Sequence, residues 1–265
     1  MALDPLPMNR CDHTARVIAS PRFNRNPRPI CIQGVRRDHG PLFALLDRCA
    51  APRERERRFR RYMDDFFLAG PVPRGASASD RRSLRNGYLR FLRGWIHDAS
   101  SGEGAVLKGW VESRFGIPPV YHAGRIDRAD SREYLAYLGE RMRGEARSNA
   151  VFAQFDLVYE YVQYELGRRH PGVPAFRLYR GIRNIGDYRF FEERPDGSAV
   201  VRMNNLNSFS SRLEYAWEFG SHVFEAEVPA SKIFFRSDLL PGVLPKGEEE
   251  SLVIGGDFEV TVRSY

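Results

Sequence analysis

The sequence predicts an α+β fold, with a mainly helical N-terminal part and a β-rich C-terminal part. Two observations carry this expectation. Up to about His170, apolar residues recur at three- and four-residue spacings; from Pro171 onward, short runs rich in β-branched and aromatic residues alternate with turn residues. Charge changes at the same place. Thirty basic residues stand against twenty acidic ones up to His170, and eleven against fourteen after it.

Residues 1 to about 40 are dense in Pro, Asn and Arg and lack periodicity, so they read as an extended arm, with "PICIQGV" as a short strand. "PLFALLDRCA" and "ERERRFRRYMDDFFLAG" have helical spacing. After the Pro/Gly/Ser connection "GPVPRGASAS", Ser79 or Asp80 would cap a helix running to about His97, with Phe91 and Trp95 in its apolar stripe. A further helix passes through "VLKGWVESRFG" and stops at Gly116. Asp130 or Ser131 would open the next, ending near Arg147, and "NAVFAQFDLVYEYVQYELGRRHPG" closes on a Gly-Pro stop. The expected strands are "AFRLYRGI", "GSAVVRMNNLNSFS", "SHVFEAEVP", "KIFFRSDLL", "ESLVIGG" and "DFEVTVRSY", and "SRLEYAWEF" is a helix among them.

Composition excludes several classes. With 265 residues, 42% hydrophobic and 28% charged, the chain has length for one large domain or two small ones and a sizeable core. No window has the apolar length of a membrane helix, and Arg10 and Asp12 spoil a signal-peptide reading. Cys11, Cys31 and Cys49 are widely spaced and odd in number, which reads as reduced thiols in a cytoplasmic protein. Six scattered histidines form no metal motif, so no protein-bound metal is expected. The basic stretches "PRERERRFRRYMDD" and "DRRSLRNGYLRFLRGW" suit nucleic acid, a membrane surface or an acidic partner, or else a solvated helix face. No nucleic-acid-binding motif accompanies them.

Three features of the C-terminal part form an ordered set. "LYRGI" puts Arg180 on a strand, followed at once by Gly181. "LNSFSSRLEYA" sets Ser208, Phe209 and Ser210 at a strand end that runs into a helix. "GEEESLVI" places Glu248 and Glu250 two apart at a strand mouth, where they share a face while Glu249 turns away. Each has a plain explanation alone: an ion pair, an N-cap, a solvated turn. Their order and spacing make the set specific.

These motifs resemble those of the mono-ADP-ribosyltransferases of the Arg–Ser–Glu class. That class carries a YRG-like arginine, a Ser-x-Ser strand and a terminal Glu-x-Glu in this order on a split β-sandwich. The likeness extends through "VPASKIFFRSDLLPGVLPKGEEESLVI". Phe209 replaces the usual middle residue of Ser-Thr-Ser, and Ser211 leaves the serine register open by one residue. With "FNRNPRPICIQGVR", "AFRLYRGIRN" and "RMNNLNSFSSR", the whole chain resembles the dinitrogenase reductase ADP-ribosyltransferase family.

The resemblance implies one ADP-ribosyltransferase domain over 1–265, with 1–170 an arm and helical region and 171–265 the catalytic core. It implies NAD as substrate, bound by Arg180, Gly181, Ser208, Ser210 and Glu250. Catalysis would fall to Glu250, Glu248, Ser208 and Arg180, with backbone N–H groups at Ser211–Arg212 available to the phosphates. Glu rather than Gln at 248 implies an arginine acceptor. The implied partners are the nitrogenase iron protein as substrate and a PII-type signalling protein as activator.

Overall fold

The structure is a computed structural model that describes residues 9–67, 87–146, 150–242 and 249–264. The first helices are short: α1 (Ala15–Ile18), α2 (Pro21–Arg25), α3 (Val35–Asp38) and α4 (Gly40–Asp47). Longer ones follow: α5 (Pro52–Phe67), α6 (Tyr88–His97), α7 (Gly102–Phe115), α8 (Arg132–Glu145) and α9 (Val151–Arg169). The C-terminal part comprises β1 (Ala175–Ile182), β2 (Arg189–Glu193), β3 (Ser198–Ser210), α10 (Leu213–Trp217), β4 (His222–Pro229), β5 (Ile233–Arg236) and β6 (Glu250–Ser264). The α+β expectation is met. No helix among the described residues is long and apolar enough to cross a membrane.

Three expectations are corrected. Over its described residues the N-terminal arm is built of single helical turns, and "PICIQGV" supplies only an isolated bridge, Cys11 to Ile32. "ESLVIGG" and "DFEVTVRSY" form one strand, β6, instead of two. β2, unexpected from the sequence, is an edge strand whose residues are mostly exposed, so no apolar alternation announced it. The proposed caps Ser79 and Asp80 lie outside the described residues. Ser131 caps α8, its hydroxyl accepting from the Tyr134 N–H.

Two glycines explain why β6 does not break. Between Met203 and Leu206 the β3–β6 register slips, so that Asn204 and Asn205 oppose the single residue Gly255. Gly256 sits at φ 116°, and a Cβ there would lie 2.7 Å from backbone atoms of Ala19. The glycines admit a bulge on one side and the arm on the other. The arm is then held to β6 by Asp257 N–H to Ala19 O (2.7 Å), Asn24 Nδ2 to Asp257 O (3.0 Å) and the Arg25–Glu259 pair (2.8 Å).

The strands pair antiparallel throughout, in a circuit: β1 with β4, β4 with β6, β6 with β3, and β3 with β1. β2 extends one side through β3, and β5 pairs with the start of β6. α9 packs on β5 and against α3, α5 and α6. It is buried on most of its circumference, as a helix surrounded by protein must be. Phe155, Tyr159 and Tyr161 from α9 join sheet residues such as Leu206, Phe234 and Val253 in one continuous core.

α9 also carries three carboxylates into this core, and each draws in an arginine. Asp156 accepts from Arg114 Nε (2.7 Å) and Nη2 (2.8 Å) and from the Trp110 indole (2.7 Å). Glu160 takes Arg36 and the Ile32 N–H (3.0 Å). Glu165 takes both Arg55 and Arg169, while Arg55 also donates to the carbonyls of Cys49 and Ala50. Part of the N-terminal excess of arginine is therefore spent inside the molecule, a use that charge counting does not reveal.

Removing one member of such a buried pair strands the other charge. Arg55 is 3% and Glu165 0% exposed at the side chain. Glu165→Leu is expected to lower unfolding stability by about 3–5 kcal/mol, measured as a shift of the urea midpoint at unchanged slope.

Candidate active site

β1, β3 and β6 meet at one place, and their registers determine which side chains share it. Ser210 pairs with Glu250 of β6 and with Tyr179 of β1. Ser208 pairs with Leu252, and Phe209 with Ser251. By strand alternation, Ser208, Ser210 and Glu250 lie on one face and Phe209 on the other. Burial agrees: Phe209 is buried, while Ser208, Ser210 and Glu250 are half-buried. The polar groups occupy a half-buried end of their face, beyond which Leu252 and Ile254 are buried.

Arg180 follows Tyr179, the residue through which β1 touches β3. Its Nη1 donates to the Ser208 carbonyl (2.8 Å), and its Nε donates to the Tyr188 hydroxyl (3.2 Å). The guanidinium is thus fixed by two partners, which leaves Nη2 without one among the described residues. A planar fork held on one side and open on the other is suited to a phosphate oxygen. Tyr188, just before β2, was not singled out from the sequence; nothing in the local pattern marks it.

Gly181 has a packing reason to be glycine. A Cβ there would lie 2.0 Å from the Ala216 carbonyl and 2.8 Å from Phe219 Cβ, because α10 crosses directly over β1. Close approach of these backbones keeps Arg180 beside Ser208.

The Ser208 hydroxyl is 2.9 Å from Trp95 Nε1 on α6. Ser210 Oγ accepts from the Arg212 N–H (3.0 Å), so that N–H is taken by the strand end; α10 has only five residues. The expected supply of free N–H groups at Ser211–Arg212 is reduced accordingly. Ser211 lies past β3, and its hydroxyl donates to Glu249. Glu249 therefore turns away from the Ser208–Ser210–Glu250 face, as alternation requires. Glu250 opens β6, its N–H donating to Ser237 Oγ (3.2 Å) and its carbonyl accepting from the Ser237 N–H (3.0 Å). Leu252, Val253 and Ile254 behind it are buried. Glu248 lies outside the described residues.

A polar brace joins the site to the helices. Asn204 Oδ1 accepts from the Val120 N–H (3.0 Å), and its Nδ2 donates to Tyr121 O (2.9 Å). Asn205 Nδ2 donates to the carbonyls of Lys108 (2.8 Å) and Ile117 (3.0 Å). Lys108 Nζ, fully buried, contacts Tyr121 O (2.9 Å) and His122 Nδ1 (3.2 Å), and His122 Nε2 meets Glu140 (3.0 Å). Burial pushes the Lys108 ammonium down to about 7, with nearby Arg180 acting in the same direction. Burial also lowers His122, and Lys108 adds to that. The signal for this brace was "NNLN" within a strand, since asparagine is depleted from strands and three of them need a reason.

An arginine fork, a serine pair and a carboxylate meet at the junction of an antiparallel sheet, a donor and acceptor set of the kind an anionic, hydroxyl-rich ligand needs. Residues 8–262 match the family described as dinitrogenase reductase ADP-ribosyltransferase, and the chain belongs to that family. It is 40% identical over 248 residues to NAD(+)–dinitrogen-reductase ADP-D-ribosyltransferase of Rhodospirillum rubrum, covering 92% of this chain and 90% of the relative. No solved structure matches it.

The packing at Gly181 yields a test. Gly181→Ala forces α10 away from β1 and is expected to cost about 1–3 kcal/mol of stability, visible as a lowered urea midpoint.

Proposed function

We propose that this chain is a mono-ADP-ribosyltransferase that moves ADP-ribose from NAD to an arginine of the nitrogenase iron protein. Two things support the reading: membership of the family, and the register that brings Ser210 opposite Glu250 with Arg180 tied to Ser208. The relative from Rhodospirillum rubrum bears a name that states the NAD and dinitrogen-reductase parts. Arginine as acceptor rests on Glu at position 248.

The chemistry follows from the donor set. The bond between nicotinamide and ribose C1′ breaks, and the electron pair leaves with neutral nicotinamide. The ribose develops oxocarbenium character, and the Glu250 carboxylate stabilises that charge. Arg180 holds the pyrophosphate through its open Nη2, with Gly181 beside it where the backbone passes closely. Ser208 and Ser210 hold the nicotinamide ribose and orient Glu250. The acceptor guanidinium is protonated at neutral pH and is not a nucleophile until it loses a proton. Glu248 takes that proton as the new C1′–N bond forms. The sheet circuit is read as the split β-sandwich of this class, with no metal required.

In this reading modification of the iron protein is a reversible switch-off of nitrogen fixation, in the cytoplasm, with a PII-type signalling protein as activator. The basic helical part would steer an acidic partner surface. An arginine-specific transferase of the same fold with another protein acceptor is the nearest alternative. Incubation of the purified protein with labelled NAD and cell extract, followed by identification of the modified residue, separates the two.

Two substitutions test the carboxylates. Glu250→Gln is expected to lower NAD-dependent labelling by at least about a hundredfold, the scale for removing one charge-stabilising group, while the fold is retained. Retention of full activity would remove the central claim. Glu248→Gln is expected to lose transfer to arginine yet keep NAD hydrolysis; an equal fall in both would refute a role specific to the acceptor.

A further inference from the structure

Ser208 is gripped at two atoms, one by a strand of the sheet and one by a helix of the N-terminal part. Its carbonyl accepts from Arg180 of β1 (2.8 Å), and its hydroxyl oxygen lies 2.9 Å from Trp95 Nε1 of α6. Trp95 is 3% exposed, so its N–H must find an acceptor inside the protein. It meets a side-chain hydroxyl from the face that carries Ser210 and Glu250, in a strand whose next pairing partner on that face is Glu250 itself.

We propose that Trp95 is a positioning residue for the transfer reaction, one that orients the Ser208 hydroxyl as a donor. The proposal rests on the reading of Ser208 given above. An indole N–H only donates, so Ser208 Oγ must accept from it. The single Ser208 hydroxyl proton is thereby kept off the indole and is available to a ribose oxygen or to the Glu250 carboxylate. Without that N–H both lone pairs and every rotamer of the hydroxyl are open, so its proton is no longer biased toward the carboxylate or the ring. The helical part of the chain thereby sets the hydrogen-bond polarity of a group on the sheet.

The experiment is a double-mutant cycle on the intact chain, reading kcat and KM for NAD in single-turnover and steady-state labelling. Trp95→Phe keeps an aromatic ring and deletes the N–H. It is expected to lower kcat about tenfold, the scale of one lost hydrogen bond, with KM for NAD within about twofold. In a Ser208→Ala background the same change is expected to lower kcat no further, because its effect on the reaction runs through the hydroxyl. Wild-type kcat in Trp95→Phe, a change confined to KM, or losses that multiply in the double variant would overturn the proposal. If Ser208→Ala alone leaves both constants unchanged, the reading of Ser208 fails; if only Trp95→Phe is silent, that reading stands and the proposal falls. Should Trp95→Phe fold poorly, 3-benzothienylalanine at position 95 preserves the bicyclic shape without the N–H, and the same outcomes apply.

Discussion

The pairing of β3 with β6 is the constraint on which the rest of the molecule depends. It aligns Ser210 with Glu250 and Ser208 with Leu252, and a slip of one residue would turn the serines into the core and Phe209 out of it. Strand pairing alone does not protect against such a slip, because Ser208, Ser210 and Ser211 are nearly equivalent chemically. The bulge at Asn204–Asn205 does. Its two side-chain amides are bonded to the backbone of α7 and the loop after it, so β3 cannot move along β6 without breaking them. A register set by turn geometry in a simple hairpin is here set by amides reaching across to the helical half.

The helical half accordingly acts as more than a covering layer. α9 supplies three carboxylates that bind arginines from α3, α5 and α7, and Tyr159 on the same helix reaches within hydrogen-bond distance of the carbonyls of Ile30 (3.0 Å) and Ser231 (2.8 Å). Arm, helices and sheet are tied through one helix. A buried ion pair is weak evidence for net stability, since desolvation offsets much of the attraction. Its value here lies in geometry: each arginine fixes the distance between α9 and another element.

Much of this was legible in the sequence, for identifiable reasons. The long helices announce themselves by spacing, all strands but β2 by β-branched and aromatic runs between turn residues, and the Arg, Ser and Glu motifs by their order. What was not legible depends on contacts between distant residues. Gly255–Gly256 reads as a break because local rules make glycine a terminator; the close approach of Asn204 and Ala19 that gives these residues their purpose lies in other parts of the chain. Trp95 reads as one more apolar position, for its N–H partner is 113 residues away. Charge asymmetry was visible, whereas its inward use by Asp156, Glu160 and Glu165 was not, because nothing in a helical run of alternating character tells which face meets an arginine.

The two lysines among the described residues carry a separate consequence. The chain has 38 arginines and three lysines, and both Lys108 and Lys232 are fully enclosed, with burial pushing each down to about 7. Arginine keeps its charge in every environment; lysine can discard it, and only lysine occupies these two enclosed positions. To a reagent that seeks primary amines, the folded surface is therefore almost blank across the described residues, and acylation of these side chains would have to await local opening. Amine reactivity at Lys108 and Lys232 is a clock for local unfolding.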